Sequence, residues 1–326
     1  MNHAPTEPSG KGIDGILDSV HLDRYLGCLM GLAAGDAVGT AVEFQPRGSF
    51  PPVTGMTGGG VFRLKPGEWT DDTSMALCLA ESLLETHGFN PADQMNRYLR
   101  WYLQGYLSST GKCFDIGTTV RGALLRYQQT GNPYSGATDA WSAGNGSIMR
   151  LAPIAMFYAN HPATAIQMAA DSSRTTHGTQ EAVDACRFLA GLIIGALNGV
   201  GKEEILSDQF CPIQGLFEKE PLITSIAEIA HGSFKRKNQN EIIGNGYVVR
   251  SLEAVLWVFY NSNSFKEGCL LAANLGEDAD TTAAIYGSLA GAYYGEEGIP
   301  PAWRERLAYK DLIAAYALRL FQHTTK

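Results

Sequence analysis

Two adjacent aspartates stand directly before a long apolar segment. In "GEWTDDTSMALCLAESLLETHG", residues 67–88, Asp71 and Asp72 lie between Thr70 and Thr73. Adjacent carboxylates repel each other, and a buried carboxylate without a partner is strongly unfavourable. Neighbouring side chains diverge inside a helix but can converge where a helix begins. Helix capping explains one of the two acids. A site for a hard metal ion is the alternative that explains two acids flanked by two hydroxyls.

A second acidic segment, later in the chain, has the same design. In "NLGEDADTTAAIYGSLAGAYYG", residues 274–295, Glu277, Asp278 and Asp280 precede Thr281 and a run of small and apolar residues. Brought together, the two segments would form an oxygen-rich cage with up to four Asp carboxylates. Such a cage suits Mg²⁺ or Mn²⁺ and not zinc, because neither acidic motif contains Cys or His. Four carboxylates exceed the charge of one divalent ion, so the pattern predicts two ions roughly 4 Å apart.

Two further acids lie nearer the N-terminus, in "GLAAGDAVGTAVEF", residues 31–44. Asp36 falls inside a predicted apolar helix, where a buried acid that caps another loop is the expected role. Glu43 follows near the end of that helix, just before the turn-like "QPRG". It is therefore better placed than Asp36 to reach a metal site.

The loop "SAGNGSIMR", residues 142–150, has the composition of an anion-binding turn. Gly144 and Gly146 allow backbone N–H groups to approach a ligand closely. Ser147 and the N–H groups after it are expected to open a helix, which favours an anion such as a pyrophosphate. An ordinary helix-capping turn is the alternative. Arg150 could pair with a phosphate or form a structural salt bridge.

Composition and charge narrow the class of protein. The 326 residues are 45% hydrophobic and only 18% charged, which predicts a substantial core and argues against a disordered or coiled-coil chain. A net charge of −8 disfavours nucleic acid and anionic membranes as partners. The six cysteines form no CxxC pair, which indicates reduced, mostly buried thiols and a cytoplasmic protein. We expect a monomer.

The N-terminal region shows no pattern of a secreted or membrane protein. The opening "MNHAPTEPSGKG" lacks the basic-then-apolar order of a signal peptide, and residues 1–20 are expected to be a flexible tail. The most apolar long window, residues 25–44, contains Asp36 and Glu43. It therefore predicts a buried helix and not a membrane span.

Apolar periodicity predicts a chain that is helical almost throughout. Glycines recur at four-residue spacing from Gly27 to Gly39, which would give one helix a smooth face for close packing, and Gly287 and Gly291 would do the same for another. The predicted helices are residues 22–38, 73–87, 91–107, 116–130, 147–160, 162–174, 179–199, 248–260, 265–274, 281–295 and 309–322. The plausible extended pieces are short, such as 53–64. We expect residues 21–326 to form one all-α domain with functional loops at one end.

These motifs, in this order, resemble the ADP-ribosylglycohydrolase family. The set runs from "GLAAGDAVG" and the following glutamate through "WTDDTSMAL", "GNGSIMRLAPIA" and "THG" to "GEDADTTAAIYGSLAGAYYG", and it spans residues 22–295. Members include dinitrogenase reductase-activating glycohydrolases and ADP-ribosylarginine hydrolases. The resemblance implies a compact, single-domain, all-α bundle with a dinuclear Mg²⁺ or Mn²⁺ site at its centre. It also implies cleavage of the bond between ribose C1″ of ADP-ribose and an acceptor.

The resemblance implies roles residue by residue. Metal ligands are implied at Thr70, Asp71, Asp72, Asp278, Asp280 and Thr281. Glu43 looks like the acid that closes over the metals in some members. The expected catalytic acids are Asp72, Asp280 and Glu43, and which of the two aspartates takes the proton is left open. Glu277 stands where a small residue is often seen, but the ligand spacing is kept.

A second set of residues is expected to contact the substrate. In "CFDIGTTVRGAL", residues 113–124, the resemblance places Asp115 near the acceptor or the ribose, although helix capping is sufficient to explain it. His177 in "RTTHG" would line the same pocket, although a lone His at a helix start is usually structural. The expected substrate residues are Asp115, Gly117, Thr118, Gly144, Asn145, Gly146, Ser147, Met149 and His177.

The expected activity is that of a metal-dependent hydrolase. Metal-activated water would attack ribose C1″ and release ADP-ribose from a modified protein. Arginine is the preferred acceptor, because a planar, cationic guanidinium pairs well with an acid such as Asp115. The alternatives are a serine-linked, nucleic-acid-linked or O-acetyl-ADP-ribose substrate, or a non-catalytic ADP-ribose-binding member. A two-carboxylate glycosidase is a weaker reading, since it needs one unliganded acid of raised pKa.

Overall fold

Helices make up nearly all the regular structure in the computed structural model, which describes residues 12–324 and their side chains from residue 19. The α-helices are α1 Gly12–Gly39, α2 Asp71–Thr86, α3 Pro91–Gln104, α4 Thr118–Thr130, α5 Ala152–Phe157, α6 Pro162–Arg174, α7 Gln180–Leu197, α8 Lys202–Ile205, α9 Leu216–Lys219, α10 Thr224–Ala230, α11 Val248–Tyr260, α12 Phe265–Ala273, α13 Ala279–Tyr294, α14 Pro301–Arg306 and α15 Lys310–Thr324. Residues 12–324 also contain four short 3₁₀ helices and three isolated β-bridges, and they contain no β-strand longer than a single bridge. The all-α prediction is confirmed.

Each predicted helix is present, although the ends differ. α1 begins at Gly12, ten residues before the predicted start. Residues 12–20 of the expected tail are therefore helical, and residues 1–11 lie outside the described residues.

Short elements are the ones that periodicity does not predict. The helices α8, α9, α10 and α14 contain four to seven residues each, too few for an apolar repeat to show. The predicted extended piece, residues 53–64, contains a single bridge between Gly59 and Leu64. This part of the chain is an irregular connection between α1 and α2.

The two central helices, α1 and α13, run antiparallel in direct backbone contact. A Cβ atom placed on Gly31 would lie 2.3 Å from the carbonyl oxygen of Gly287, and one placed on Gly287 would lie 2.0 Å from that of Gly31. Gly27 and Gly291 meet in the same way. The close packing that the glycine spacing predicts is confirmed.

The rest of the bundle surrounds this pair. Helices α7, α11 and α12 pack on α13, and α2, α12 and α15 pack on α1. Within the described residues, one segment, Ser19–Val42, is long and apolar enough to cross a membrane, but 89% of its most apolar window is buried inside the protein. It is the core helix that the sequence predicts. The six cysteines are free thiols, as expected.

The antiparallel packing brings the end of α1 to the start of α13. A Cβ atom on Gly39 would lie 2.3 Å from the carbonyl oxygen of Ala279. The start of α2 lies at the same place, because Asp36 of α1 binds the backbone of Thr70 and Thr73. The helix ends that carry the acidic motifs therefore meet at one end of the bundle.

We predict that Gly31→Ala lowers the free energy of unfolding by at least about 2 kcal/mol, because the new methyl group would overlap helix backbone that cannot easily move. Gly122→Ala in α4 is the matched control. Its Cβ atom would approach only the flexible end of Arg126, at 3.4 Å. The higher helix propensity of Ala should leave its stability unchanged or raise it by up to about 1 kcal/mol. Urea unfolding measures both variants, and equal stabilities would contradict the prediction.

Candidate active site

A cavity of about 590 Å³ opens where α1 ends and where α2, α4 and α13 begin. Its volume suits a nucleotide-sized ligand. Most of the predicted site residues line it: Glu43, Asp71, Asp115, Gly117, Thr118, Gly144, Asn145, Gly146, Met149, His177, Asp278, Asp280 and Thr281. Thr70, Asp72 and Ser147 are buried next to the cavity and do not line it. The separate sequence motifs converge on one place.

Asp36 of α1 caps the start of α2. Its Oδ1 atom accepts hydrogen bonds from the N–H and the hydroxyl of Thr70, both at 2.9 Å. Its Oδ2 atom accepts from the N–H of Thr73 at 3.1 Å and from the hydroxyl at 2.6 Å. The expected capping role of Asp36 is confirmed.

Capping does not account for the paired acids of α2. Thr70 is the N-cap residue but its side chain makes no cap hydrogen bond, and Asp71 and Asp72 are the first two residues of the helix. Because Asp36 supplies the cap from another helix, these two carboxylates are free for a different role. The capping explanation for Asp115 is also wrong, since the N-cap residue of α4 is Gly117.

Carboxylates from these helix ends crowd together. Oxygen atoms of Glu43, Asp115 and Asp280 all lie within 4.8 Å of one another. The Asp72 Oδ2 atom accepts a hydrogen bond from the Thr281 hydroxyl at 3.4 Å, which links α2 to α13. Asp115, expected on the substrate side, therefore lies among the predicted metal-binding acids.

Burial raises the pKa of every acid in this cluster, and repulsion from neighbouring acids adds to most of the shifts. The pKa of Glu43 rises to about 10 and that of Asp115 to about 7. Burial also raises the pKa values of Asp71, Asp72, Asp278 and Asp280. None of these acids forms a salt bridge with a described residue. The cluster lacks a positive partner from the described part of the chain.

Some of the buried carboxylate oxygens have no hydrogen-bond partner among the described residues. These are Oε2 of Glu43, Oδ1 of Asp72 and Oδ1 of Asp280. Buried polar atoms of this kind normally bind a donor or an ion. A set of carboxylate and hydroxyl oxygens fits a hard cation such as Mg²⁺ or Mn²⁺. The residues present therefore fit the metal site that the sequence predicts.

Asn145 holds one of the predicted metal ligands in place. Its Nδ2 atom donates to Oδ2 of Asp278 at 2.7 Å and to the hydroxyl of Ser251 at 2.8 Å. The Ser251 hydroxyl donates in turn to the carbonyl oxygen of Asn245 at 2.6 Å. The sequence predicts a substrate contact for Asn145, and in the structure its amide contacts Asp278.

The loop at residues 142–150 is a series of turns and does not open a helix. The carbonyl oxygen of Asn145 accepts from the N–H groups of Ile148 at 3.0 Å and Met149 at 3.2 Å, and α5 begins only at Ala152. The prediction of a helix that opens at Ser147 is therefore wrong, and any attraction for an anion here comes from single N–H groups.

Two N–H groups of this loop are available for a ligand. The backbone bonds of the described structure leave the N–H groups of Gly146 and Ser147 without a backbone acceptor. The Ser147 hydroxyl accepts from that of Ser173 at 3.0 Å, where both side chains are buried. Only the backbone of Ser147 is therefore placed to contact a ligand.

A second loop lies at the cavity, and no prediction from the sequence includes it. The segment "GNGYVVR", residues 244–250, repeats the pattern of "GNGSIMR", residues 144–150. The two loops pair, because the N–H of Asn145 donates to the carbonyl oxygen of Gly246 at 3.1 Å, and Gly246 lines the cavity. A comparison of the chain with itself over this short motif would have found it.

Three residues that line the cavity have left-handed backbone conformations. The φ angles are 61° at Phe44, 59° at Asp115 and 57° at Glu277. The N–H of Phe44 donates to the carbonyl oxygen of Glu277 at 2.7 Å, which ties the chain after α1 to the chain before α13. Such conformations cost about 1–3 kcal/mol each and concentrate at functional sites. Nothing in the sequence marks Phe44.

Known proteins are similar to this chain in sequence and in fold. The model of the ADP-ribosylglycohydrolase family matches residues 17–326. The chain belongs to the ADP-ribosylglycohydrolase family. The resemblance of the motifs is thereby confirmed, and the protein is a glycohydrolase, an enzyme that acts on an ADP-ribose conjugate.

Relatives of this glycohydrolase span most of its length. A Pseudomonas putida (strain GB-1) protein named ADP-ribosylarginine hydrolase Tri1 is 46% identical over 300 residues, 92% of this chain and 78% of the relative. A Rhodospirillum rubrum glycohydrolase of ADP-ribosyl-dinitrogen reductase is 33% identical over 90% of this chain and 92% of the relative. A solved structure described as an ADP-ribosylglycohydrolase-related protein complex superposes with a TM-score of 0.82 at 45% identity, covering 94% of this chain and 99% of that one. The single-domain fold is that of the family.

The glycohydrolase without metal should lose stability as the pH rises. Glu43 and Asp115 have higher pKa values in the folded than in the unfolded protein, so between about pH 4 and pH 10 the folded state binds more protons. The free energy of unfolding then falls as the pH rises. In chelator, we expect the melting temperature to fall from pH 5 to pH 8, and we expect excess Mg²⁺ to reduce that fall.

The variant Asp280→Asn separates this effect from the titration of other groups. It removes one of the repelling charges, so in chelator it should melt at a higher temperature than the wild type at pH 8 and show a flatter pH dependence. A wild-type melting temperature that rises with pH in chelator would show that the cluster is not crowded with charge.

Proposed function

We propose that this glycohydrolase removes ADP-ribose from arginine side chains of a modified protein, with two divalent cations, Mg²⁺ or Mn²⁺. The observation that carries the proposal is the cluster of acids at the cavity, in which buried oxygens of Glu43, Asp72 and Asp280 have no partner among the described residues. The proposed metal ligands are Thr70, Asp71, Asp72, Asp278, Asp280 and Thr281. When bound, such cations polarise a sugar hydroxyl and lower the pKa of a water molecule that attacks C1″.

Charge balance supports two ions. The four proposed Asp ligands carry up to four negative charges, which one divalent cation would leave half-neutralised. Glu43, whose pKa in the metal-free protein is about 10, can hold its proton at neutral pH and adds no charge while it does so. Two divalent cations match the four aspartates.

The proton of the attacking water is handled by a carboxylate at the cavity. Asp280 is better placed than Asp72 for this task, because Asp280 lines the cavity and Asp72 does not. Asp115 lies within reach of Asp280, so a proton taken at Asp280 can pass to Asp115.

The arginine acceptor is supported by the part of the cavity that Phe44, Asp115 and Glu277 line. Phe44 is 63% exposed, so its ring is accessible to a ligand. A guanidinium group pairs with carboxylates and stacks on aromatic rings, whereas a serine oxygen does neither. The name of the Pseudomonas putida relative supports the same acceptor.

The other expectations stay predictions. A monomer, a cytoplasmic location and the absence of a membrane or nucleic-acid partner rest on composition alone. The non-catalytic alternative is disfavoured, because this chain keeps an acid or hydroxyl at every proposed ligand position. The acceptor and the metals are the two parts of the proposal that experiments can separate.

Removal of metal should abolish hydrolysis, and Mg²⁺ or Mn²⁺ should restore it. Asp280→Asn should lower kcat by about 100-fold or more while the protein stays folded, since it removes a proposed ligand. Asp311→Asn is the control, because Asp311 is also in the first turn of a helix but is exposed on α15. Steady-state kinetics with an ADP-ribosylated peptide measures the three proteins. Full turnover by metal-free protein would contradict the proposal.

Arginine-linked ADP-ribosyl peptide should be hydrolysed at least about tenfold faster than the serine-linked peptide of the same sequence, because only the guanidinium pairs with the acids. Asp115→Asn should remove most of this preference. Asparagine tolerates the left-handed backbone of Asp115, so this variant changes the charge and leaves the loop intact. Faster cleavage of the serine-linked peptide would refute the acceptor. An unchanged preference in Asp115→Asn would refute the role of Asp115.

A further inference from the structure

Arg150 is a buried cation that has no carboxylate partner among the described residues. Its side chain is fully buried, and its guanidinium carbon lies 4.7 Å from the centroid of the Tyr98 ring. Its Nη1 atom donates to the carbonyl oxygen of Gly146 at 3.0 Å, and its Nη2 atom donates to the hydroxyl of Thr176 at 2.6 Å. Neither sequence-based role for Arg150 holds, because it does not line the cavity and forms no salt bridge with a described residue. Its hydrogen bonds instead lead to two segments of the cavity wall.

The Thr176 hydroxyl links Arg150 to His177. An arginine only donates hydrogen bonds, so the Thr176 oxygen accepts from Arg150. If the Thr176 oxygen also accepted from Nδ1–H, its own proton would have no acceptor among the described residues, so the hydroxyl donates to Nδ1 of His177, 2.8 Å away. Within the described structure these are the two contacts of that hydroxyl. An Nδ1 atom that accepts a hydrogen bond carries no proton, so the proton of the neutral ring is on Nε2.

The Nε2 side of His177 meets the glycines of the 142–150 loop. A Cβ atom placed on Gly144 or on Gly146 would lie 3.2 Å from Nε2 in each case. His177 also lines the cavity, although only 2% of its surface is exposed. The Nε2 atom therefore lies close to Gly146, whose N–H, like that of the next residue Ser147, has no backbone acceptor in the described structure. Three donors in this one part of the cavity wall would suit an anion.

We propose that Arg150 and Thr176 are positioning residues that lock His177 as a neutral Nε2–H donor to a phosphate oxygen of ADP-ribose. The identity of the ligand rests on the proposed function, whereas the state of the imidazole ring does not. Burial, with the nearby charge of Arg150, lowers the pKa of His177 to about 3, so the ring stays neutral near pH 7. Arg150 also holds the loop itself, through the carbonyl oxygen of Gly146. One buried cation thus orients both the loop and the histidine.

The ring state is measured first, in the unmodified protein. Long-range ¹H–¹⁵N NMR spectra of histidine-labelled wild type distinguish a protonated Nε2 from a protonated Nδ1. The signals of His177 are assigned as those missing from His177→Gln among the seven histidines. We expect a neutral ring with the proton on Nε2. A proton on Nδ1, or an even mixture of the two forms, would overturn the proposal without any variant having to fold.

Binding of free ADP-ribose then tests whether the Thr176 hydroxyl positions His177. Thr176→Val removes the hydroxyl and should weaken ADP-ribose binding about tenfold, whereas Thr176→Ser keeps it and should bind within about twofold of wild type. Thr175→Val is the matched control: Thr175 is equally buried, but its hydroxyl bonds Ser172 and Gln94 and not His177. It should also bind within about twofold of wild type. Calorimetry measures all four proteins.

Kinetics distinguishes this role from a general loss of structure. If the contact between His177 and the phosphate contributes only to substrate binding, Thr176→Val raises KM for the arginine-linked peptide about tenfold and changes kcat little. Equal ADP-ribose affinity for Thr176→Val and wild type would overturn the proposal. A wild type that binds ADP-ribose with its Nε2 proton in place, but hydrolyses no arginine-linked peptide, would reject the proposed acceptor and leave this inference standing.

Discussion

The direct backbone contact between α1 and α13 is the constraint on which the rest of the structure depends. Side chains hold most packed helices apart, but here Gly31 and Gly287 allow the two backbones to touch. Because the helices are antiparallel, the contact fixes the end of α1 beside the start of α13. Glu43 then lies beside Asp280, although more than two hundred residues separate them in the chain. The position of the acids is thus set by glycines that make no contact with a ligand.

A second consequence of this packing is that Asp36 caps the start of α2, so that Asp71 and Asp72 are not needed as caps. Asp36 reaches from α1 to the first turn of α2 and accepts four hydrogen bonds there. Asp71 and Asp72 are therefore not needed as caps, and they lie in a cluster of acids whose burial makes their negative charges unfavourable. The described residues supply no cation to relieve it, and the oxygen ligands suit hard divalent ions. The same ions would therefore serve both catalysis and stability, because they would activate water and also neutralise the negative charge of the buried acids.

Much of the fold and of the site could be predicted from the sequence, since both depend on patterns that are local in the chain. Apolar periodicity marks the long helices, glycine spacing marks the close pair, and the two Asp/Thr motifs mark the acids. The capping role of Asp36 followed from an acid inside an apolar helix. The hydrogen bond from Asn145 to Asp278 could not be predicted in this way, because it depends on where two segments that are distant in the chain meet.

Other features of the site lie beyond what local patterns contain. The left-handed backbone of Phe44 occurs together with a backbone hydrogen bond to Glu277, which is distant in the chain, and no residue type at position 44 marks it. Arg150 looks in the sequence like a phosphate or carboxylate partner, but the fold buries it against Tyr98. Its effect reaches the cavity only through Thr176 and His177. Roles that pass through a second residue depend on three-dimensional contacts, and a single sequence does not contain them.

The central claim is that the buried acids hold two divalent cations. The most direct measurement is anomalous diffraction from crystals grown with Mn²⁺, with data collected on both sides of the manganese absorption edge. We expect two anomalous peaks about 4 Å apart, between the start of α2 and the start of α13, with oxygen ligands from Asp72 and Asp280. A single peak would contradict the two-ion arrangement. No peak within the acidic cluster, at a Mn²⁺ concentration that supports full hydrolysis, would contradict the account as a whole.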